Sequence, residues 1–247
     1  MTKNMYGDSV KQLNIVIGCN FDCIYCKRSF QAQMKRQKHN CKYINEELGE
    51  SKCYLYEPHF HYERLFDSLP RTKGDEFIWI NSSSDIYFAE ELWINIILER
   101  IKKLKSKTFF FQTKEPSCLK KYNWPENVIL GITLETNRDE GYELISKASN
   151  PRKRYNEFYN LDHKRKRLTI EPVLDFDVKD FVLMIKLLDP EIIYFGFDTK
   201  KTPGITPPSI EKTVKFLSKL NTLFHERLKL KYIPEEYKKE LIKIDWL

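Results

Sequence analysis

The chain has 247 residues, of which 41% are hydrophobic, 14% aromatic and only 8 are glycine. That length suffices to bury a full core in one barrel-type domain, and the composition excludes a disordered or linker-rich chain. The 42 basic and 35 acidic residues give a formal net charge of +7, which permits a phosphate-bearing partner without demanding one; a lysine- and isoleucine-rich coding bias accounts for the same excess.

In chain order, residues 13–17 are an apolar run read as the first strand. They lead into Gly18-Cys19-Asn20-Phe21-Asp22-Cys23-Ile24-Tyr25-Cys26. Residues 27–38 are polar and favour helix, whereas 40–56 have no period and read as an insertion. Residues 58–66 enter a short helix, and 76–80 form the second strand, followed by the polar loop Asn81-Ser82-Ser83-Ser84-Asp85. An amphipathic helix is predicted over 90–105, with Ile94, Ile97, Leu98 and Ile101 at helical spacing. Further strands are expected at 108–111, 128–134, 167–170 and 192–195. Further helices are expected at 140–148, over most of 152–167, at 178–188, at 208–223 and near 234–242. Six strands alternating with helices imply parallel strands with right-handed crossovers, short of an eight-fold barrel. The expected organisation is a barrel domain over 1–223, with the insertion at about 40–56, and a helical extension over 224–247 packed on it. The first twelve residues are polar and no apolar run approaches a membrane span, so the expectation is a cytoplasmic chain with no membrane partner. Six cysteines in such a chain point to metal chemistry rather than a disulfide framework.

Three of those cysteines, Cys19, Cys23 and Cys26, share one loop at spacing C-x3-C-x2-C, with Tyr25 before the last. Thiolates are soft ligands, and three on one loop can hold three irons of a 4Fe-4S cluster, leaving the fourth iron for a small molecule. A structural zinc site would need a fourth protein ligand, and Cys41, Cys53 or a histidine could supply it. Three unrelated buried cysteines are the plainest alternative.

Strand parity adds a second signal. Over 128–135, Leu130, Ile132 and Leu134 share one face and Gly131, Thr133 and Glu135 the other. Thr169 shares a face with Glu171, Gln112 shares one with Lys114, and Asn81 continues the face of Trp79. Turned inward, Asn81, Gln112, Lys114, Thr133, Glu135 and Glu171 form a polar pocket at the C-terminal mouth, where barrel sites are built.

The cysteine motif, directly after the first predicted strand, strongly resembles that of the radical S-adenosylmethionine (SAM) superfamily. The segments Phe60-His61-Tyr62-Glu63-Arg64, Asn81-Ser82-Ser83-Ser84-Asp85, Gln112-Thr113-Lys114-Glu115-Pro116, Gly131-Ile132-Thr133-Leu134-Glu135 and Thr169-Ile170-Glu171-Pro172 resemble a phage-associated radical SAM group, itself similar to spore photoproduct lyase. The resemblance spans roughly 13–200. It implies an α/β fold, a partial (βα)6 TIM barrel. It also implies a 4Fe-4S cluster on Cys19, Cys23 and Cys26, and SAM chelated at the open iron and cleaved by one electron to a 5′-deoxyadenosyl radical. An external one-electron donor of the flavodoxin or ferredoxin type follows from the same chemistry. By position, Tyr25 would pack near the adenine. The loop with Asn81, Ser82, Ser83 and Asp85 stands where the family carries a glycine-glycine-glutamate motif for the SAM amino group; serines and Asp85 replace it here. Thr133 and Glu135 stand where the family reaches the ribose or methionyl group, and Glu171 belongs to the same pocket. Lys114 would pair with the SAM carboxylate or a substrate phosphate, or be a solvated loop lysine. Spore photoproduct lyase uses an additional cysteine as a hydrogen-atom donor; none of Cys41, Cys53 and Cys118 matches it, and their scattered spacing reads as ordinary thiols. His59 and His61 read as packing or surface residues.

The leading expectation is therefore a radical SAM enzyme that abstracts hydrogen from a nucleic acid or nucleotide. Arg152, Lys153, Arg154, Lys164, Arg165, Lys166 and Arg167, interleaved with Tyr155, Phe158 and Tyr159, fit either nucleic-acid contact or a solvated helix with its aromatics turned inward. A small metabolite or peptide is the competing substrate class; binding to DNA or RNA that weakens steeply with salt separates the two. The rival of another class is a zinc-stabilised nucleic-acid-binding module.

Overall fold

A computed structural model describes residues 6–36 and 41–242. The end of the helix predicted over 27–38, the first residue of the insertion and both chain termini lie outside the described residues. The strands are β1 (Ser9–Leu13), β2 (Val16–Ile17), β3 (His59–Phe60), β4 (Phe77–Ile80), β5 (Phe109–Thr113), β6 (Val128–Thr133), β7 (Lys166–Ile170), β8 (Ile192–Phe195) and β9 (Leu228–Leu230). The helices are α1 (Phe30–Arg36), α2 (Lys52–Leu55), α3 (Glu91–Lys102), α4 (Pro151–Tyr159), α5 (Val178–Leu188), α6 (Ile210–Phe224) and α7 (Glu235–Ile242).

Seven strands form one sheet in the order β1-β4-β5-β6-β7-β8-β9, and every neighbouring pair is parallel. Parallel pairing requires long crossovers, which α3, α5 and α6 supply. Their buried faces recur at helical spacing: Ile94, Ile97, Leu98 and Ile101 on α3; Phe181, Met184, Ile185 and Leu188 on α5; Phe216, Leu217, Leu220 and Phe224 on α6. They cover the convex face of the sheet, formed by Ile78, Ile80, Phe109, Phe111, Leu130, Ile132, Leu168, Ile170, Ile193 and Phe195. The concave face packs Phe77, Trp79, Phe110, Ile129 and Tyr194 around Tyr6, which is fully buried.

The sheet is curled into a half-barrel. In a flat sheet, the outer strands of seven would lie about 29 Å apart at the usual strand spacing. Instead Lys229 of β9 reaches Asp8, next to β1, at 2.9 Å, and Lys231 lies 4.6 Å from the Tyr6 ring centroid. Tyr6 thus plugs the interior and leaves the C-terminal mouth to the loops.

Several expectations change. The run 13–17 is two strands, because the chain turns at Asn14, whose side-chain oxygen accepts from Ser82 Oγ and the Ser83 N–H. β2 then pairs with β3 in a separate antiparallel ladder. The segment 140–148 is not a helix beyond a single turn at Tyr142–Leu144; the Lys147 N–H goes instead to the Phe21 carbonyl, at 2.8 Å. Helix α4 ends at Tyr159, well before 167, and β7 begins at Lys166. The C-terminal segment adds β9 as a seventh strand, so it is not purely helical.

Gly18 leaves β2 at φ +99°, and a Cβ there would meet the backbone of Glu57 at 2.3 Å and of Pro58 at 2.5 Å. Backbone cannot swing aside as a side-chain tip can. Gly18→Ala should cost about 1–3 kcal/mol or more from overpacking, lowering Tm by roughly 2–12 °C. A Tm equal to that of the unaltered chain would contradict the close β2–β3 approach.

Candidate functional site

The loop that carries Cys19, Cys23 and Cys26 hangs at the C-terminal mouth, held by backbone from three directions. The Gly18 N–H donates to the Ser83 carbonyl at 3.0 Å, and Ser84 Oγ donates to the Gly18 carbonyl at 2.6 Å. The Cys19 N–H donates to the Tyr56 carbonyl at 3.2 Å, and the Ile24 N–H to the Ile145 carbonyl at 3.0 Å. Phe21 stacks on Tyr87 and meets Phe88 edge-on, so one wall of the loop is apolar. Cys23 is buried, whereas Cys19 and Cys26 are part-exposed.

Behind Cys23 lies a buried charge network. Lys114 Nζ is 3.1 Å from Cys23 Sγ and 2.8 Å from Glu135 Oε1. Arg154 pairs with Glu135 Oε2 at 2.8 Å, and both of those side chains are fully buried. Tyr25 and Tyr142 donate to Glu135 Oε1 at 2.5 and 3.0 Å. Burial alone would raise Glu135, but Lys114 and Arg154 hold it below the ordinary carboxylate range. Burial alone would lower Lys114, but Cys23 and Glu135 keep it firmly protonated. The Cys23 thiol is held down to about 5, first by a hydrogen bond from Cys26 and then, against burial, by the Lys114 ammonium. Ser146 Oγ also lies 3.1 Å from Cys23 Sγ.

The polar loop after β4 lies against the cysteine loop, and most of its side chains are already engaged. Asp85 is buried; it accepts from Thr113 Oγ1 at 2.6 Å, the Lys114 N–H at 2.8 Å and the Tyr87 N–H at 3.0 Å. Burial pushes its carboxyl up to about 6 even against those bonds. Ser82 Oγ donates to Asn14 at 2.9 Å, and the Ser83 N–H donates there as well. Asn81, at φ +57°, accepts from the Val16 N–H at 2.8 Å. Its Nδ2 is buried with no hydrogen-bond partner.

Deeper in the half-barrel, Gln112 donates to Thr133 Oγ1 at 2.7 Å and accepts from Tyr6 at 2.7 Å. Glu171 pairs with Lys231. A cleft of about 230 Å3, lined by Thr136, Arg138, Tyr142, Asp175 and Gly204 among others, opens at the same end of the sheet. The structure thus joins Tyr25, Lys114 and Glu135 in one group with Cys23. Gln112 and Thr133 form a second group and Glu171 a third.

Sequence reasoning missed Arg154, Tyr142 and Ser146. Arg154 was legible in principle: Pro151, Arg154, Tyr155 and Phe158 are the buried residues of α4, at i, i+3, i+4 and i+7. The basic run is largely consumed within the fold. Arg152 pairs with Asp180, Arg165 with Glu191, Lys153 with Glu157, and Arg167 is buried beside Tyr194. Its aromatics Tyr155 and Phe158 turn inward, while Tyr159 is exposed. Cys41, Cys53, His59 and His61, read as ordinary thiols and as packing or surface residues, are all buried, and their ligand atoms converge within 4.8 Å. Cys118 is buried and is not part of that group. Among the described residues, no helix is long and apolar enough to cross a membrane.

No protein-family model matches the chain, and no curated protein matches it in sequence. Among solved structures it is similar to a point variant of spore photoproduct lyase, with 12% identity and a TM-score of 0.50, over 90% of this chain and 76% of the lyase. A second variant, solved with a dinucleoside spore photoproduct, matches at 11% identity and the same TM-score of 0.50, over 90% of this chain and 76% of that one. At such identity the likeness is one of architecture, and the chain has the curled partial TIM barrel of these lyase structures.

Proposed function

We propose that the chain is a radical SAM enzyme, with Cys19, Cys23 and Cys26 as the ligands of a 4Fe-4S cluster. The observation that carries this reading is a buried ammonium set against one thiol of the loop. One carboxylate, Glu135, sits between two buried cations, Lys114 and Arg154, and the next group that Lys114 faces is Cys23 Sγ at 3.1 Å. A thiolate-ligated cluster fits a buried ammonium facing a ligand sulfur, and three thiols on one loop are its donor set. Cys41, Cys53, His59 and His61 converge on a point of their own, which supports reading the three-cysteine loop apart from them.

When bound, such a cluster supplies the single electron by which SAM is cleaved, drawn from a flavodoxin- or ferredoxin-type donor. The chain's own residues do the rest. Lys114 holds a positive charge against Cys23, and a hydrogen bond to a ligand sulfur raises a cluster's potential. Glu135 acts as a positioning residue: it fixes the Lys114 ammonium and, through the Tyr25 hydroxyl, the aromatic face beside the cysteines. Asp85 fixes the loops after β4 and β5. Asn81 Nδ2, a buried donor without a partner, suits the SAM carboxylate. For the substrate we carry over a nucleotide or nucleic acid, by analogy with a lyase solved with a dinucleoside photoproduct.

The reading is tested by iron content and SAM cleavage. Cys19→Ala, Cys23→Ala and Cys26→Ala should each lose most of the iron and all reductive SAM cleavage, while Cys118→Ala keeps both. Full iron and cleavage in all three loop variants would end the assignment.

Glu135→Gln leaves two buried cations without their carboxylate, a change of about 3–5 kcal/mol. Tm should therefore fall by roughly 6–20 °C. SAM binding, followed by anaerobic calorimetry, should weaken about ten- to a hundred-fold. Lost affinity at unchanged Tm would mean that Glu135 touches SAM directly and is not a positioning residue. No change in either would remove it from the site.

A further inference from the structure

The insertion brings together four side chains that the proposed cluster chemistry does not use. Cys53 lies on the short helix α2, and Cys41 precedes that helix on a segment whose Tyr43 carbonyl accepts from the Lys52 N–H at 2.8 Å. His59 starts β3, and His61 follows two residues on, so that extended backbone turns both rings to one side. All four are buried, with His61 only 1% exposed, and both cysteines are free thiols.

Three sulfur–nitrogen distances match a tetrahedral ligand shell. Cys41 Sγ lies 3.5 Å from His59 Nε2, and Cys53 Sγ lies 3.4 Å from His59 Nε2 and 3.6 Å from His61 Nε2. Zinc bonds of about 2.3 Å to sulfur and 2.0–2.1 Å to nitrogen, at tetrahedral angles, put sulfur and nitrogen about 3.6 Å apart.

The far side of each imidazole is equally specific. His59 Nδ1 faces the Glu57 carbonyl at 2.7 Å, and His61 Nδ1 faces Glu63 Oε1 at 3.0 Å. Both partners accept, so both Nδ1 atoms carry hydrogen, and a neutral ring then presents only a lone pair at Nε2. Yet the two Nε2 atoms stand 2.8 Å apart. Two facing lone pairs repel. A cation at the centre resolves the conflict, and a carbonyl and a carboxylate behind the rings are the outer partners that metal-bound histidines usually have.

We infer that Cys41, Cys53, His59 and His61 bind one zinc ion as a closed structural site, separate from the three-cysteine loop. Two thiolates and a divalent ion leave the buried site neutral. Four protein ligands leave no open position, which marks a structural rather than a catalytic centre. Its position gives it a task. The site ties the insertion to β3, β3 pairs with β2, and β2 runs directly into Gly18 and Cys19. The Tyr56 carbonyl that receives the Cys19 N–H lies between the ligands Cys53 and His59. Zinc would therefore brace the root of the cysteine loop. Eleven residues separate the two cysteines and one separates the histidines, unlike the usual short ligand pairs, so spacing alone does not reveal the site.

The test is metal analysis of the full chain, purified anaerobically, with zinc-edge X-ray absorption. About one zinc per chain is expected, with two sulfur ligands near 2.3 Å and two nitrogen ligands near 2.0 Å. The double variant Cys41→Ser/Cys53→Ser should fall below about a tenth of that occupancy. The triple variant Cys19→Ala/Cys23→Ala/Cys26→Ala should lose its iron and keep its zinc, which separates this site from the proposed cluster. If the double variant does not fold, the absorption spectrum of the unaltered chain decides by itself. The inference is overturned by a chain that takes up no zinc when one equivalent is supplied. It is overturned equally by ligation other than two sulfurs and two nitrogens, by zinc retained in the double variant, or by zinc lost in the triple variant.

Discussion

The mouth of this half-barrel depends on one buried carboxylate. Glu135 follows β6 and meets Lys114 from the end of β5, Arg154 from α4 and Tyr25 from the cysteine loop. Desolvating three charges is unfavourable unless each finds its partners. Here Glu135 Oε1 meets Lys114, Tyr25 and Tyr142 while Oε2 takes Arg154, and Arg154 also donates to the Thr133 and Ser149 carbonyls and to Tyr142. The Lys114 ammonium also faces Cys23 Sγ at 3.1 Å. The network therefore favours a thiolate at that position and fixes the loop that carries it.

Among the described residues, the packing of the interior leaves this mouth open to such a group. The interior is filled from below by Tyr6, Phe77, Trp79, Phe110 and Tyr194, and the lower rim is laced by Asp8, Arg167, Tyr194 and Lys229. A packed interior cannot admit a ligand, so chemistry moves to the loops at the C-terminal strand ends, as barrel folds in general have it. The cysteine loop is then braced on two sides. Glu135 and the 145–147 segment hold its far end, while Gly18 and Cys19 are pinned by Ser83, Ser84 and Tyr56.

Much of this was legible in the residues. Period-two alternation identified the inward face of β6; the single polar pocket expected from it is divided in the structure, where Gln112 bonds Thr133 and Lys114 pairs with Glu135. The crossover helices followed from their apolar stripes, because those stripes are what cover a parallel sheet. What was not legible depended on long-range contacts. The segment 140–148 has helical composition, but its backbone is drawn to the Phe21 carbonyl. Arg154 lies in a run of cations that reads as solvated, and only helical phase marks it as buried. The short strand β9 has too few residues to carry a period and exists because β8 offers it an edge. The Cys–His group has no local motif; it forms only when the insertion folds back on β3.

The central claim is that the three-cysteine loop holds a 4Fe-4S cluster with one iron open to SAM. Electron paramagnetic resonance of the anaerobically reconstituted, reduced protein, with and without SAM, tests it most directly. The account predicts the signal of a reduced 4Fe-4S cluster that shifts when SAM is added, because a ligand enters at the open iron. A cluster signal that SAM leaves unaltered, or reconstituted protein without such a cluster, would contradict it.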